Sequence, residues 1–277
     1  MQNTVISHPS SQATASRMPV LFVSHGSPMF AIEAGTTGPA LTQWGQNLRA
    51  QFPQLRGVVI MSPHWMAHGV HVMTNPTPET WHDFSGFPRE LYELQYPAKG
   101  APELAHEVLG LLKAADISAT EDVQRPLDHG AWVPLMHTFP EADVPVVQVA
   151  LPVHADAHAV YALGQALQSL RDEGVLIVGS GSMTHNLREF FGGERQPADY
   201  VVEFSRWVEM QVQAGALDTL LHWQERAPHA LRAHPTDEHF LPLYFALGAA
   251  GPDAKPEYLS REVMYGILAM DTFALNG

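Results

Sequence analysis

The chain has 277 residues, enough for one large domain or two small ones, and with 45% hydrophobic and 16% charged residues it can cover a sizeable core. A net charge of −14, from 29 acidic against 15 basic residues, argues against binding nucleic acid or anionic membranes, which need clustered Lys and Arg. Cysteine is absent, which removes disulfides, thiolate-bound zinc, iron–sulfur clusters and thiol nucleophiles together, and leaves the 16 histidines with Asp and Glu as the available metal ligands.

Residues 1–17 are rich in Ser, Thr and Gln and are expected to form a flexible N-terminal tail, without the basic and apolar regions of a signal peptide. No stretch is apolar for the roughly 18 residues that a membrane span needs, and a cytoplasmic location is expected. Four short runs rich in Val and Ile follow, at residues 19–23, 57–61, 144–151 and 174–178. Their near-continuous hydrophobicity suits strands covered on both faces.

Between them lie helical patterns. Leu104, Val108, Leu111 and Leu112 share one face of a helix over 102–115, and Val160, Leu163, Leu167 and Leu170 do so over 156–171. Val201, Phe204, Val208 and Val212 align over 198–213. A fourth helix is predicted to start at the N-cap Thr236, with Asp237 and Glu238 in its first turn, and to stop before Gly248. Residues 257–263 and 266–273 read as two further strands. The fold class is therefore α/β: a single domain over 18–277, with a central mixed, largely parallel sheet flanked by helices on both faces. Pro and Gly crowd residues 76–100 and predict long ordered loops over one end.

Three apolar runs lead into a histidine among small residues or prolines: Ser24-His25-Gly26, Ser62-Pro63-His64-Trp65, and Gly179-Ser180-Gly181-Ser182-Met183-Thr184-His185. Ligands of open α/β sheets bind beyond the carboxyl ends of the strands, so three segments bring an imidazole to one edge. His239, in the first turn of the fourth helix, is within reach. A single histidine after a strand is more often a loop residue or a hydrogen-bonded core residue. The set suits a metal or acid–base site, and spacing leaves both readings open.

His129 falls in a loop before a short apolar segment, either facing substrate or as an ordinary loop residue. His154 and His158 are four apart but lack a matching carboxylate, so they read as a solvated face, and His68 and His71 as surface. Ser180-Gly181-Ser182 matches neither a phosphate loop nor a nucleophile elbow, and no HExxH zinc motif occurs. Trp44, Trp132, Trp207 and Trp223 are expected to pack in the core or its rim.

Taken in order, these segments resemble the 4,5-DOPA extradiol dioxygenase family of the class III extradiol dioxygenases, whose prototype is the catalytic subunit of protocatechuate 4,5-dioxygenase. The resemblance rests on MPVLFVSHGSP at 18–28, SPHW at 62–65, HDFSGFP at 82–88, LDHGAW at 127–132, GSGSMTHNLR at 179–188 and PTDEHFLPL at 235–243. It runs through most of the chain from Met18 onward. It implies metal positions at His25, His64 and His239, with His185 beside the metal as an acid–base residue or, as in zinc-containing members, a fourth ligand. His129 matches a second catalytic histidine near the substrate. The prototype has a carboxylate at the third ligand place, where the DOPA-type branch and this sequence have histidine. Residues 151–154 depart from the family pattern, so substrate choice can differ.

The implied reaction opens a catecholic, DOPA-like ring with dioxygen to a muconic semialdehyde. Fe(II) is expected for activity because the step transfers electrons, while Zn(II) can occupy the same site. Two other readings use the same residues: a zinc hydrolase, which would work without oxygen, and a non-catalytic binding protein. Expected partners are a small catechol and dioxygen, with no nucleic acid or membrane, in a monomer or small homo-oligomer.

Overall fold

Runs of Val and Ile are stiff at χ1 and fit a pleated surface buried on both sides. The computed structural model, which describes residues 17–190 and 196–277, places them at the centre of an eight-stranded sheet. The predicted tail lies outside the described residues apart from Arg17. In chain order the strands are β1 (Val20–Ser24), β2 (Gly57–Ala67), β3 (Val70–Met73), β4 (Ala119–Asp122), β5 (Val146–Pro152), β6 (Val175–Gly181), β7 (Lys255–Ser260), β8 (Val263–Met264), β9 (Leu268–Ala269) and β10 (Thr272–Asn276). The main sheet has the order β4-β3-β5-β2-β6-β1-β10-β7, and β8 and β9 form a separate pair. Its middle, β5-β2-β6-β1, is parallel, with Val58 opposite both Val146 and Leu176, and Val20 opposite Ile177. On one side β3 runs antiparallel to β5, and on the other β10 runs antiparallel to β1 and β7 to β10. A mixed, largely parallel sheet was expected, and this is one.

The helices are α1 (Thr37–Gln51), α2 (Arg89–Glu93), α3 (Pro102–Ala114), α4 (His129–Thr138), α5 (Ala157–Ala166), α6 (Asp199–Ala214), α7 (Leu217–Leu221), α8 (Trp223–Arg226), α9 (Ala230–Ala233) and α10 (Pro242–Ala250). Alternate residues of each central strand face opposite layers. Val20, Phe22, Val175 and Ile177 pack with α3, α5, α6 and α10, whereas Leu21, Val23, Leu176 and Val178 pack with α1 and α4. Each layer thus buries one half of every strand, which is why the runs are apolar throughout rather than alternating.

Three expectations are corrected. The helix predicted from Thr236 starts at Pro242, so His239 lies in the turn before it and not in its first turn. Proline lacks the N–H that a first turn leaves unpaired and has φ preset for a helix, so Pro242 fixes the start. His129 is not in a loop: it opens α4, whose N-cap Asp128 accepts from the Ala131 N–H. The helix predicted over 156–171 breaks after Ala166 into a 3-10 turn, Gln168–Glu173, that ends on left-handed Gly174.

At the amino ends of β1 and β6 the 3-10 turn buries Arg171. Its Nε donates to Met18 O (2.7 Å), Nη1 to Ala250 O (2.6 Å) and Ala249 O (3.3 Å), and Nη2 to Gly277 O (2.8 Å). Burial lowers its pKa to about 10, so it stays charged at neutral pH.

Candidate metal centre

The carboxyl ends of β1, β2 and β6 meet at the opposite edge. His25 follows β1 directly and is held by its N–H on Gly181 O (2.9 Å). His64 lies within β2, which runs past the expected residue 61 because its pairing with β5 breaks after Ser62 and resumes at Met66. That irregularity frees His64 to turn out of the ladder. His239 is delivered by the turn before α10, its carbonyl accepting from the Ser182 N–H (2.7 Å). The approach is so close that a Cβ on Gly181 would lie 2.3 Å from His239 O. The Gly-Ser-Gly-Ser segment is thus neither a phosphate loop nor a nucleophile elbow: its glycine makes room for the chain that carries a histidine. His185 is fixed by its N–H on Ala233 O (2.9 Å).

The structure brings all five expected histidines together. Ring centroids lie 5.0 Å apart for His25 and His64, 5.5 Å for His25 and His239, and 5.1 Å for His64 and His239. Ligand nitrogens of these three all lie within 4.8 Å of one another. His185 stacks on His239 at 3.5 Å, with 9° between the ring planes, and His129 lies 3.9 Å from His64. His68, His154 and His158 are exposed and stand outside this cluster, as expected, and His71 lies half-buried in β3.

The far nitrogens explain the arrangement. The Ser180 hydroxyl donates to Gly130 O, so it can only accept from His25 Nδ1–H, at 3.0 Å. His239 Nδ1 donates to Glu238 Oε1 at 2.9 Å. In both rings the lone pair is left on Nε2. The Nε2 atoms of His25 and His64 face each other at 3.1 Å. Two imidazole nitrogens bound to one ion at about 2.1 Å are separated by about 3.0–3.4 Å for octahedral to tetrahedral angles, so the pair fits a shared metal. Burial, and then the neighbouring histidines, hold His25 and His239 well below the usual imidazole pKa. Burial likewise lowers His64 and His185 to about 4. All four are neutral at pH 7, the form that binds metal, and an all-imidazole set suits iron, zinc, copper or nickel.

Supporting groups were not singled out in the sequence. Asp128 is fully buried, with Oδ1 accepting from Ser62 Oγ (2.8 Å) and the Ala131 N–H (3.2 Å), and Oδ2 from Arg125 (2.7 Å) and Gln148. Arg125 also donates to His64 O (3.2 Å) and lies between the rings of Trp65 and Trp81, at 4.7 and 4.8 Å. A Cβ on Gly130 would lie 2.2 Å from Ser62 Oγ and 2.8 Å from His64 Cδ2, so only glycine lets α4 start against the metal edge. Asp83 accepts from the His129 N–H (2.9 Å) and from its Nδ1 (3.0 Å). Burial raises its pKa, but the hydrogen bonds from His129 outweigh this and hold it below the ordinary carboxylate value. The legible hints were the N-cap position of Asp128 and the place of Asp83 in HDFSGFP.

A doubly covered mixed sheet with a histidine cluster at its carboxyl edge suits a metal-dependent enzyme of the α/β class. Residues 19–271 match the family described as the catalytic LigB subunit of aromatic ring-opening dioxygenase, and the chain belongs to this family. It is a metal-dependent enzyme that opens aromatic rings with dioxygen. Over 254 residues, 91% of this chain and 94% of the relative, it is 38% identical to the 4,5-DOPA dioxygenase extradiol of Beta vulgaris. It is 36% identical to the protein of the same name from Escherichia coli K12 over 85% of this chain and 86% of the relative. The crystal structure of an uncharacterized protein from Escherichia coli K12 matches with a TM-score of 0.78 and 30% identity, covering 94% of this chain and 100% of the other. Among the described residues no helix is long and apolar enough to cross a membrane.

Proposed function

We propose that the enzyme cleaves a DOPA-like catechol beside its hydroxyl pair, giving a muconic semialdehyde, with Fe(II) held by His25, His64 and His239. The observation that carries this reading is the convergence of three neutral imidazoles, two of which have Nδ1 committed to an oxygen acceptor and Nε2 left free. When bound, iron supplies a Lewis acid that lowers the catechol pKa and a redox path to dioxygen that zinc lacks. A catechol must lose protons to bind as a chelating anion, and His129 and His185 are the uncommitted bases beside the site. His129, with Nδ1 on Asp83, offers Nε2 to one hydroxyl. His185 is neutral in the resting site, so the imidazolium that could protonate the departing oxygen has to form during turnover, from the substrate's own proton. His185 stands outside the group formed by His25, His64 and His239, although with Glu238 and His239 it forms a neighbouring group of possible ligands, and on that separation it is assigned the acid–base role.

The test is anaerobic loading with Fe(II) or Zn(II), followed by oxygen uptake with DOPA and plain catechol. Iron should give one dioxygen consumed per ring opened and a yellow product. Equal oxygen uptake by iron-free zinc protein would overturn the metal assignment, and anaerobic turnover with zinc would indicate a hydrolase instead.

A further inference from the structure

We infer that Asp83 is a positioning residue for ring opening, setting the tautomer of His129 so that its Nε2 faces the substrate as a proton acceptor. The inference rests on the reading of His129 as a base. The Asp83 side chain is only 8% exposed, and both its oxygens lie 3.0 Å from His129 Nδ1. Oδ1 also accepts the His129 backbone N–H at 2.9 Å, so ring and backbone of one residue are gripped by one carboxylate. An ionised carboxylate can only accept, which obliges His129 Nδ1 to carry the hydrogen and leaves the lone pair on Nε2. His129 also opens α4, where Asp128 caps the helix and Gly130 abuts His64, so its backbone is fixed and the ring torsion remains for Asp83 to set. Phe84, next in sequence to Asp83, meets the His129 ring edge-on at 5.6 Å. The carboxylate further lies 3.7 Å from His64 Nδ1, too long for a hydrogen bond, so its grip falls on the base and not on the metal ligand.

The alternative is that Asp83 merely ties its loop to α4. Asp83→Asn separates the two, because the amide oxygen can still accept the His129 backbone N–H while the amide nitrogen has to donate to Nδ1, reversing the tautomer. The expected result is unchanged metal content and Tm, KM within about threefold, and kcat reduced by about 10²–10⁴-fold, the range for losing an oriented general base. Asp83→Glu should recover part of that loss. Nitrogen-15 NMR of histidine-labelled, zinc-loaded protein should show His129 as Nδ1–H in the wild type and Nε2–H in Asp83→Asn. Wild-type protein with His129 as Nε2–H overturns the inference whatever the variants do, as does Asp83→Asn with wild-type kcat. His129→Ala identifies which statement failed. If His129→Ala is inactive while Asp83→Asn is fully active, Asp83 alone was misassigned. If His129→Ala is fully active, the base reading itself falls.

Discussion

The two ends of the sheet bury polar groups in opposite ways. At the amino ends of β1 and β6, Arg171 lies under the sheet edge and donates to the carbonyls of Met18, Ala249 and Ala250 and to an oxygen of Gly277. At the carboxyl edge, His25 after β1 and His64 in β2 point nitrogen at nitrogen across 3.1 Å, and the far atoms of the cluster rest on Ser180 and Glu238. Both ends pay desolvation, which a buried polar group recovers only through partners. The arginine end recovers it inside the chain and is a stability device. The histidine end turns ring nitrogens on one another, and a cation bound among them recovers the cost.

Substitutions at the two ends should therefore separate activity from stability. The largest effect is expected for His25→Ala or His64→Ala, which leave too few imidazoles to hold a divalent ion against water, so that metal analysis and turnover both fall to background. Next comes His185→Ala, which should keep most of its metal and lose about 10²–10⁴ in kcat. A metal-free His185→Ala protein would show the residue to be a ligand and blur its contrast with His129. Arg171→Met leaves buried carbonyls unpaired and should cost about 3 kcal/mol in urea unfolding, while turnover per bound metal stays at the wild-type value. A parallel fall in turnover would show that the two ends are coupled.

The smallest effect is one of pH, and much of it belongs to the histidine end. His64 and His185 have folded pKa values of about 4, below the unfolded value of 6.5, so the unfolded chain takes up protons first as pH falls. Their stabilising contribution is fully present above pH 6.5 and is lost between there and about 4, at up to about 1.4 kcal/mol per pH unit for each. Thermal melts of metal-free protein at pH 7 and 5.5 should show the drop. His64→Phe should make the drop shallower, and a slope that His64→Phe leaves unchanged would assign the acid sensitivity elsewhere.

The same contrast governs what was legible in the sequence. The Val- and Ile-rich runs mark strands buried on both faces, and a histidine past such a run has its place fixed by the strand, so His25, His64 and His185 are legible on one edge. His239 was drawn to the right neighbourhood but on the wrong element, because Thr236-Asp237-Glu238 has the chemistry of a helix start while Pro242 sets the actual one. The start of α4 reads as a loop before a short apolar segment, since the helix is apolar nearly all round, carries an internal Pro134 and shows no 3.6-residue stripe. Asp83 stayed hidden for a different reason. It sits in an aperiodic segment, 46 residues from its partner His129, and nothing local to either residue encodes that meeting.

The pairing of β1 with β10 sets when the centre can exist. β1 brings His25 out of the ribosome before either of its ladder neighbours: β6 comes far downstream and β10 later still. Until residues 272–276 emerge, β1 remains an open edge, and His239 too is supplied from the last part of the described chain. Metal therefore cannot seed folding from a local pair of ligands, as it does in small zinc modules. It captures a finished sheet, and the stability it adds grows with the logarithm of free metal concentration over Kd.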